Sequence, residues 1–507
     1  MDKIIVLDFG SQYSHLICRR IRNFAVYAEL VPYSIPFIKL KQMKPKGIIL
    51  SGSPSSIYDD KHPIPEKHIF DSGIPILGIC YGHQLIVNNF GGVVKDANKE
   101  YGSAMLSIKN NSNLLSNIGK NTRAWMSHGD EAIKIPPHGF EITASTSRSH
   151  AAVIENTTKF IYGVQFHPEV VHTDHGIQIL KNFVLKICLA KKEWNMKNFI
   201  DDTIKEISKI TGDVICGVSG GIDSTVTALL IHKSIGNRLK CIFIDNGLLR
   251  IDEVKSVQEI FSKMGIQIIT INAQKRFLDQ LKNIYDPEKK RKVIGKEFVK
   301  IFSSYANKNK NLKWLAQGTL YPDVIESGIS HGPSSVIKTH HNVGGIPNWL
   351  TLKILEPIRD LYKDDVRKIA KILNVPDNII NRHPFPGPGL AVRIIGEVTR
   401  KKLRIVRFAS RIVEEELMKS KIYDTVWQAY AALGDDRATG VSGDKRKIGN
   451  IVMIRVVNST DAMTADWTRL PYKILERISN RITNEIDEVT WVSYIISSKP
   501  PATIEPQ

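Results

Sequence analysis

Short apolar runs of strand length recur along the first third of the chain, at residues 3–8, 47–51, 75–80 and 160–166. Helical periodicity follows several of them, as at 84–90 and 177–189. Strands that are apolar on both faces and alternate with helices predict a parallel sheet covered by helices. The charged segment 190–197 (AKKEWNMK) breaks the pattern and marks a boundary. A second alternation opens with an amphipathic helix at 199–210 and continues with strands at 213–218, 239–245, 266–272 and 313–317. The basic stretch 286–302 lies among them. It reads either as a solvated helix face or as a mobile lid whose lysines and arginines reach phosphates. At 383–390 (HPFPGPGL) prolines and glycines alternate, which excludes regular structure. Beyond it the pattern predicts a helix at 401–418, a helical stretch at 423–432, a strand at 450–457, a helix at 472–485 and a strand at 491–497. The expected fold is α/β. Two doubly wound parallel-sheet domains, 1–190 and 191–382, precede a small C-terminal α+β domain, 383–507.

Composition narrows the class. The chain has 507 residues, 42% hydrophobic and 24% charged, the proportions of a soluble globular enzyme of several domains. No apolar run reaches the roughly 18 residues a membrane-spanning helix needs, and MDKIIVLDFG enters a strand with no signal-peptide pattern. Five scattered cysteines without a C-x-x-C pair suggest neither a zinc site nor a disulfide framework. A cytoplasmic location is expected. The net charge of +19 lies mostly beyond residue 190. It suits anionic ligands such as nucleotides, and also nucleic acid. Neither an added RNA-binding module nor extra cysteines accompany it, so no nucleic-acid partner and no membrane partner are expected.

Two constellations carry chemistry. Ser219, Gly220, Gly221, Ile222, Asp223, Ser224 and Thr225 (SGGIDST) follow an apolar strand and open a helix. Glycines let backbone N–H groups approach an anion, the hydroxyls add donors, and the helix dipole favours negative charge. No Gly-Lys-Ser/Thr follows, so this phosphate cradle is not a Walker A loop. Upstream, Gly78-Ile79-Cys80-Tyr81-Gly82 has the spacing of a strained strand-to-helix turn that exposes a nucleophile. His167 and Glu169 follow another strand of the same sheet. Parallel strand ends lie together, so His167 can take the thiol proton while Glu169 orients the imidazole. The Ser51-Gly52-Ser53-Pro54 turn, with the N–H of Tyr81, can form an oxyanion hole.

Cys80, His167 and Glu169 resemble the triad of class I glutamine amidotransferases. The resemblance implies that the thiol attacks the glutamine amide, releases ammonia and leaves a thioester for water. Gly52, Tyr81, Gln84 and His128 (in MSHGD, 126–130) match segments near that family's glutamine site. Gly52-Ser53-Pro54 departs from its usual Gly-Gly-Pro. The SGGIDST loop resembles the pyrophosphate loop of ATP pyrophosphatases, which split ATP into AMP and pyrophosphate. Further strings are FIDNGLLR (243–250), WLAQGTLYPDVIES (314–327), IKTHHNVGG (337–345), HPFPGPGL and KPPATIE (499–505). With these, and with the amidotransferase preceding the pyrophosphatase, the whole chain resembles the glutamine-hydrolysing GMP synthetase family.

That resemblance implies adenylation of xanthosine monophosphate at its C2 oxygen, using ATP and magnesium, followed by amination to GMP. It implies an ATP site at 219–225 with Asp245 and Gly318. Asp223 and Asp245 are suited to magnesium or to the adenosine ribose. Lys338, His340 and His341 are expected in a lid, with a surface pair as the alternative for the two histidines. Pro386, Gly387, Gln428, Lys499, Ile504 and Glu505 are expected around the purine nucleotide, and a homodimer is expected through the third domain. The strand at 451–457 serves either that interface or an internal core. Arg359, Lys363 and Arg367 either touch phosphate or form a solvated helix face, the simpler reading. Two departures touch the third domain: Trp491 stands where the family commonly has a phosphate-associated Arg, and the ending is Pro506-Gln507 instead of an aromatic residue and Glu. Rival readings are another ammonia-using ATP pyrophosphatase, an RNA-modifying enzyme, or a nucleotide-binding paralogue without turnover.

Overall fold

The computed structural model describes residues 1–109, 112–326, 352–459 and 464–507. Its contacts gather into two compact units, one formed by residues 1–199 and the other by 200–323 together with 352–507.

In the first unit nine strands form one sheet: β1 (Lys3–Asp8), β2 (Tyr27–Pro32), β3 (Gly47–Leu50), β4 (Ile76–Ile79), β5 (Val93–Ile108), β6 (Asn121–Lys134), β7 (Glu141–Ser145), β8 (Val153–Asn156) and β9 (Ile161–Val164). Their order is β2-β1-β3-β4-β9-β8-β7-β5-β6. From β2 to β9 the pairing is parallel. These strands are apolar and buried on both faces, as in GIIL of β3 and ILGI of β4, which requires helices on either side. The other four strands are antiparallel. The β5–β6 hairpin escaped the apolar-run criterion because β6 alternates exposed polar and buried residues. Trp194, in the charged segment 190–197, packs against Tyr27 with ring centroids 4.9 Å apart, so that segment belongs to the first unit.

The second unit holds two sheets. The first comprises β10 (Asp213–Gly217), β11 (Leu239–Asp245), β12 (Ile268–Asn272), β13 (Leu312–Ala316) and β14 (Lys353–Leu355), ordered β12-β11-β10-β13-β14 and parallel throughout. The basic stretch expected as a lid or a solvated face is part of one helix, Pro287–Lys308. Asp286 caps it by accepting from the Lys289 amide at 2.7 Å, and Pro287 sits in the first turn where its missing N–H costs nothing. Lys290 of that helix is fully buried. It is anchored in the protein rather than free to cover a nucleotide.

The last sheet comprises β15 (Gln428–Ser442), β16 (Lys445–Asn458), β17 (Asp466–Trp467) and β18 (Val489–Tyr494). The β15–β16 hairpin is antiparallel, and β18 runs parallel to β16. Helices Arg400–Lys419 and Tyr472–Glu485 cover it, the first capped by Thr399 accepting from the Lys402 amide. The helix expected at 423–432 is instead a short turn, Tyr423–Thr425, leading into β15. Its alanines favour helix locally. Residues from Ala429 to Leu433 are buried on both faces of a strand, where packing overrides propensity. Residues 451–457 form the middle of this sheet, with neighbours on both sides. One apolar core runs through Ile242, Phe277, Leu390, Leu403 and Ile454, so residues on both sides of the 382/383 boundary share an interior.

Glycines fix the spacing of strand and helix around residue 80. A Cβ on Gly82 would lie 2.4 Å from the Leu50 carbonyl oxygen, and one on Gly78 would lie 2.4 Å from that of Gly82. Gly82→Ala is expected to cost about 1–3 kcal/mol by overpacking against backbone. Urea denaturation followed by near-ultraviolet signals of the first unit measures it, and an unchanged midpoint would refute the close approach.

Candidate active site

Cys80 ends β4 and precedes the helix Tyr81–Asn89, with φ +52° and ψ −103°. A non-glycine residue there stores roughly 1–3 kcal/mol of backbone strain, and Gly78 and Gly82 make the turn possible by removing the side chains that would collide. The Sγ donates to the Ser127 carbonyl at 3.6 Å, and the amide Nε2 of Gln165 reaches it at 3.9 Å. His167 follows β9. Its imidazole hydrogen-bonds the Cys80 side chain, and its Nδ1 lies 2.7 Å from Glu169 Oε1. With the Nδ1 proton held by Glu169, Nε2 is left to face sulfur. The His167 amide donates to Trp125 O at 3.1 Å, and Thr173 Oγ1 donates to His167 O at 2.7 Å. Tyr13 meets the imidazole edge-on at 5.2 Å.

Burial opposes a charge on His167. The Glu169 carboxylate and the hydrogen bonds to Cys80 and Glu169 outweigh it and hold the imidazole well above its ordinary pKa.

Gly52 lies against this group, because a Cβ there would be 3.2 Å from His167 Cε1. The Tyr81 N–H opens a helix, where no intrahelical acceptor exists. Its ring is a core element whose hydroxyl donates to Pro63 O at 2.9 Å, so only its backbone is available for an oxyanion. Gln84 and His128 both turn towards the Asp130 carbonyl, with Gln84 Nε2 at 2.9 Å and His128 Nδ1 at 3.0 Å. Burial keeps His128 below its ordinary pKa, and among the described residues its Nε2 makes no hydrogen bond, lying 3.8 Å from Glu100 Oε2. The sequence reading did not single out Tyr13, Gln165 or Thr173. Gln165 had a faint signal, two residues before His167; Tyr13 and Thr173 had none.

The second-unit loop carries its own bonding. Gly220 has φ +75°, and a Cβ on it would lie 2.6 Å from Val257 Cγ2. Ser224 Oγ and Thr225 Oγ1 donate to Gly221 O at 3.0 and 2.8 Å. The amides of Ser219 and Gly221 donate to Ser224 Oγ and Ser219 Oγ. The helix Ile222–Ile235 begins at once, so its free N–H groups face the loop. Arg382 Nη1 donates to Gly220 O at 3.3 Å and Nη2 pairs with Glu253 at 2.5 Å, which fixes the loop from behind. Gly318 approaches the same turn: a Cβ there would be 3.2 Å from the Asp223 carbonyl carbon.

Lys363, taken as one of a solvated set, reaches Asp223 Oδ2 at 2.5 Å. Arg359 and Arg367 instead pair locally with Glu356 and Asp364. Asp223 Oδ1 is a buried acceptor with no hydrogen-bond partner among the described residues. Asp245 accepts from Gly247 N at 3.1 Å and Gln274 Nε2 at 2.7 Å. Among the described residues no three His, Cys, Asp or Glu side chains gather to enclose a metal. Asp223, with one unbonded carboxylate oxygen, fits a hard cation whose other ligands are phosphate oxygens and water, whereas both Asp245 oxygens already accept hydrogen bonds. Lys338, His340 and His341 lie outside the described residues.

In the C-terminal segment, Glu505 receives two bonds from Arg393, at 3.0 and 2.9 Å, and one from Gln428 Nε2 at 2.6 Å. Gln428 also donates to Pro384 O, and Tyr430 donates to Ile504 O at 2.6 Å. Pro386 O accepts from Gly389 N at 2.8 Å, and Gly387 faces open space. Lys499 bridges Ala465 through its backbone. Trp491 is more than half exposed, with its indole N–H bonded to Thr439 O.

Three family models match the chain: glutamine amidotransferase class-I over 5–187, NAD synthase over 194–312, and GMP synthase C terminal domain over 415–506. Proteins named GMP synthase [glutamine-hydrolyzing] match it end to end. That of Brachyspira hyodysenteriae is 51% identical over 100% of this chain and 99% of its own length. That of Aquifex aeolicus is 50% identical over 99% of both. That of Dehalococcoides mccartyi (strain ATCC BAA-2266 / KCTC 15142 / 195) is 53% identical over 99% of this chain and 95% of its own length.

The Glu169–His167 pair predicts a pH dependence for reaction at Cys80. The carboxylate raises the imidazole pKa, so the proton needed by a leaving amine is retained until pH rises through that raised value. Glu169→Gln removes the raising charge, and the alkaline limb of glutamine hydrolysis is expected to move to lower pH. A pH–rate profile of kcat/KM checks this, and a limb that stays in place would show that Glu169 does not set the imidazole charge.

Proposed function

This chain belongs to the family of glutamine-hydrolysing GMP synthases, and from that premise we propose how its residues divide the reaction. The enzyme forms GMP from xanthosine monophosphate, ATP and glutamine, giving AMP, pyrophosphate and glutamate. Residues 1–190, with the segment 191–199 packed on them, act as the amidotransferase domain, the stretch from there to 382 as the ATP pyrophosphatase domain, and 383–507 as the purine-binding and dimerisation domain.

Cys80 attacks the side-chain amide carbon of glutamine while the backbone N–H groups of Gly52 and Tyr81 hold the oxyanion. His167 gives its proton to the departing nitrogen, and ammonia leaves. Water, deprotonated by the same imidazole, then hydrolyses the thioester to glutamate and restores the thiol. The observation that supports this assignment is the 2.7 Å Glu169–His167 contact beside a strained Cys80.

In the second domain Ser219, Gly220, Gly221, Ser224 and Thr225 hold the pyrophosphate end of ATP. The xanthine O2 attacks the α-phosphorus, pyrophosphate leaves, and ammonia then displaces AMP at C2. Asp223 and Asp245 would hold magnesium, which would neutralise charge on the triphosphate. Lys363 pairs with Asp223 until the nucleotide arrives and then serves the phosphates. Pro386, Gly387, Gln428, Lys499, Ile504 and Glu505 surround the purine nucleotide. The lid role remains with Lys338, His340 and His341. The protein acts in the cytoplasm as a homodimer, without nucleic acid or membrane; no helix among the described residues is long and apolar enough to cross a bilayer.

Two substitutions separate the half-reactions. Cys80→Ala is expected to abolish GMP formation from glutamine and to leave formation from ammonium within about twofold, since the thiol serves only ammonia release. Asp223→Ala is expected to lower both by at least about a hundredfold, because transition-state charge on the phosphates loses its support. Product analysis with each nitrogen source decides. Equal loss from both sources in the Cys80 variant would count against separate sites.

A further inference from the structure

Lys290 is a buried cation with no role in the reaction as described. Its ammonium donates to Ile394 O at 2.6 Å, to Gln507 Oε1 at 2.5 Å and, more weakly, to Ala391 O at 3.4 Å. All three acceptors are neutral, and among the described residues no carboxylate is bonded to it. Burial, followed by the nearby Lys402 charge, pushes its pKa down to about 8. A fully buried ammonium with only neutral acceptors is costly to keep, so its placement calls for a reason beyond packing. The next residue, Arg291, donates to Gln507 O at 2.7 Å. Two adjacent cations of one helix therefore grip both the side chain and the main chain of Gln507.

What they grip lies beside the purine contacts. Gln507 is two residues beyond Glu505. Ala391 and Ile394 bracket Arg393, the buried guanidinium that makes the two-bond contact to Glu505. Arg393 is held over the rings of Tyr430 and Phe385, with centroids 4.4 and 5.2 Å away, and Arg455 holds the Thr503 and Ile504 carbonyls from the other side. One ammonium thus ties down the segments on both sides of the Arg393–Glu505 pair. We infer that Lys290 is a positioning residue for the purine-nucleotide pocket, setting Glu505 through Gln507 and Arg393 through the Ala391 and Ile394 carbonyls. This rests on the proposed role of Glu505 and Gln428 at the purine. It places the control of that pocket on a helix that belongs to the ATP half of the unit, in the stretch the sequence offered as a lid.

The test uses the full chain with ammonium as nitrogen source, so that the glutamine half-site does not enter. KM for xanthosine monophosphate and for ATP are measured for Gln507→Ala, Gln507→Glu, Lys290→Met and Glu505→Ala. Gln507→Ala is expected to raise KM for xanthosine monophosphate about tenfold, the loss of charge-assisted bonds that hold a contact in place. KM for ATP should stay within about twofold, as for a loss confined to one subsite. Gln507→Glu keeps an acceptor for Lys290 and should return KM towards the parent value, a rescue that a merely structural defect does not give. Lys290→Met should follow Gln507→Ala; glutamine hydrolysis by the same sample reports that the first unit is intact. If Glu505→Ala raises KM and Gln507→Ala does not, or if both substrates weaken equally, the inference is overturned while the pocket stands. If Glu505→Ala has no effect, the pocket assignment itself falls.

Discussion

Both reactive groups depend on one constraint, the close approach of a helix N-terminus to the ends of parallel strands. Such an approach leaves no room for a Cβ. At Cys80 the space is held by Gly78 and Gly82, each with backbone 2.4 Å from where a side chain would begin. In the five-stranded sheet Gly318 does the same beside the Asp223 backbone, and Gly220 leaves room for the Val257 side chain. The consequence is alike in both places. Unsatisfied N–H groups of a helix N-terminus converge at the turn, where negative charge is favoured. Different chemistry then follows from what stands at the turn: a thiol beside an imidazole in one sheet, and hydroxyls beside a carboxylate in the other.

Electrostatics separates groups that sequence alone would treat alike. His83, His128 and His167 are all buried in the first unit. Burial, and then the neighbouring His128, drives His83 down to about 3. His128 is likewise lowered. Only His167 is raised, because Glu169 and Cys80 reward its charge by more than burial penalises it. The glutamate two residues along the chain decides which of the three imidazoles is raised. Asp223 and Asp245 diverge in the same way. Both follow the ends of strands or loops at one sheet edge, yet Asp223 keeps an unbonded oxygen while Asp245 is occupied by Gln274 and the Gly247 amide.

Much of this was legible in the chain. The parallel strands announced themselves as uninterrupted apolar runs, and β1, β11 and the helix Tyr472–Glu485 fall where the pattern set them. Cys80, His167 and Glu169 were readable because strand ends and glycine spacing are local signals. What failed to show depends on partners distant in sequence. The β5–β6 hairpin has one solvent face, so polar residues dilute its periodicity. Residues 423–432 are alanine-rich yet join a sheet whose other strands come later. Lys363 lies 140 positions from Asp223, and nothing near it in the chain distinguishes it from Arg359 or Arg367. Lys290 was visible as part of a basic run, but its burial depends on carbonyls about a hundred residues away.

The core shared across the 382/383 boundary carries a consequence for how this protein can be divided. Leu390, Leu403 and Ile454 belong to the same interior as Ile242 and Phe277. Severing the chain at that boundary would strip apolar surface from both pieces, leaving neither with a complete inside. The five-stranded sheet and the C-terminal sheet are therefore two faces of one interior. The first unit, by contrast, has an apolar interior of its own, built around Leu7, Leu50 and Ile86, and its packing does not depend on where the rest of the chain is cut.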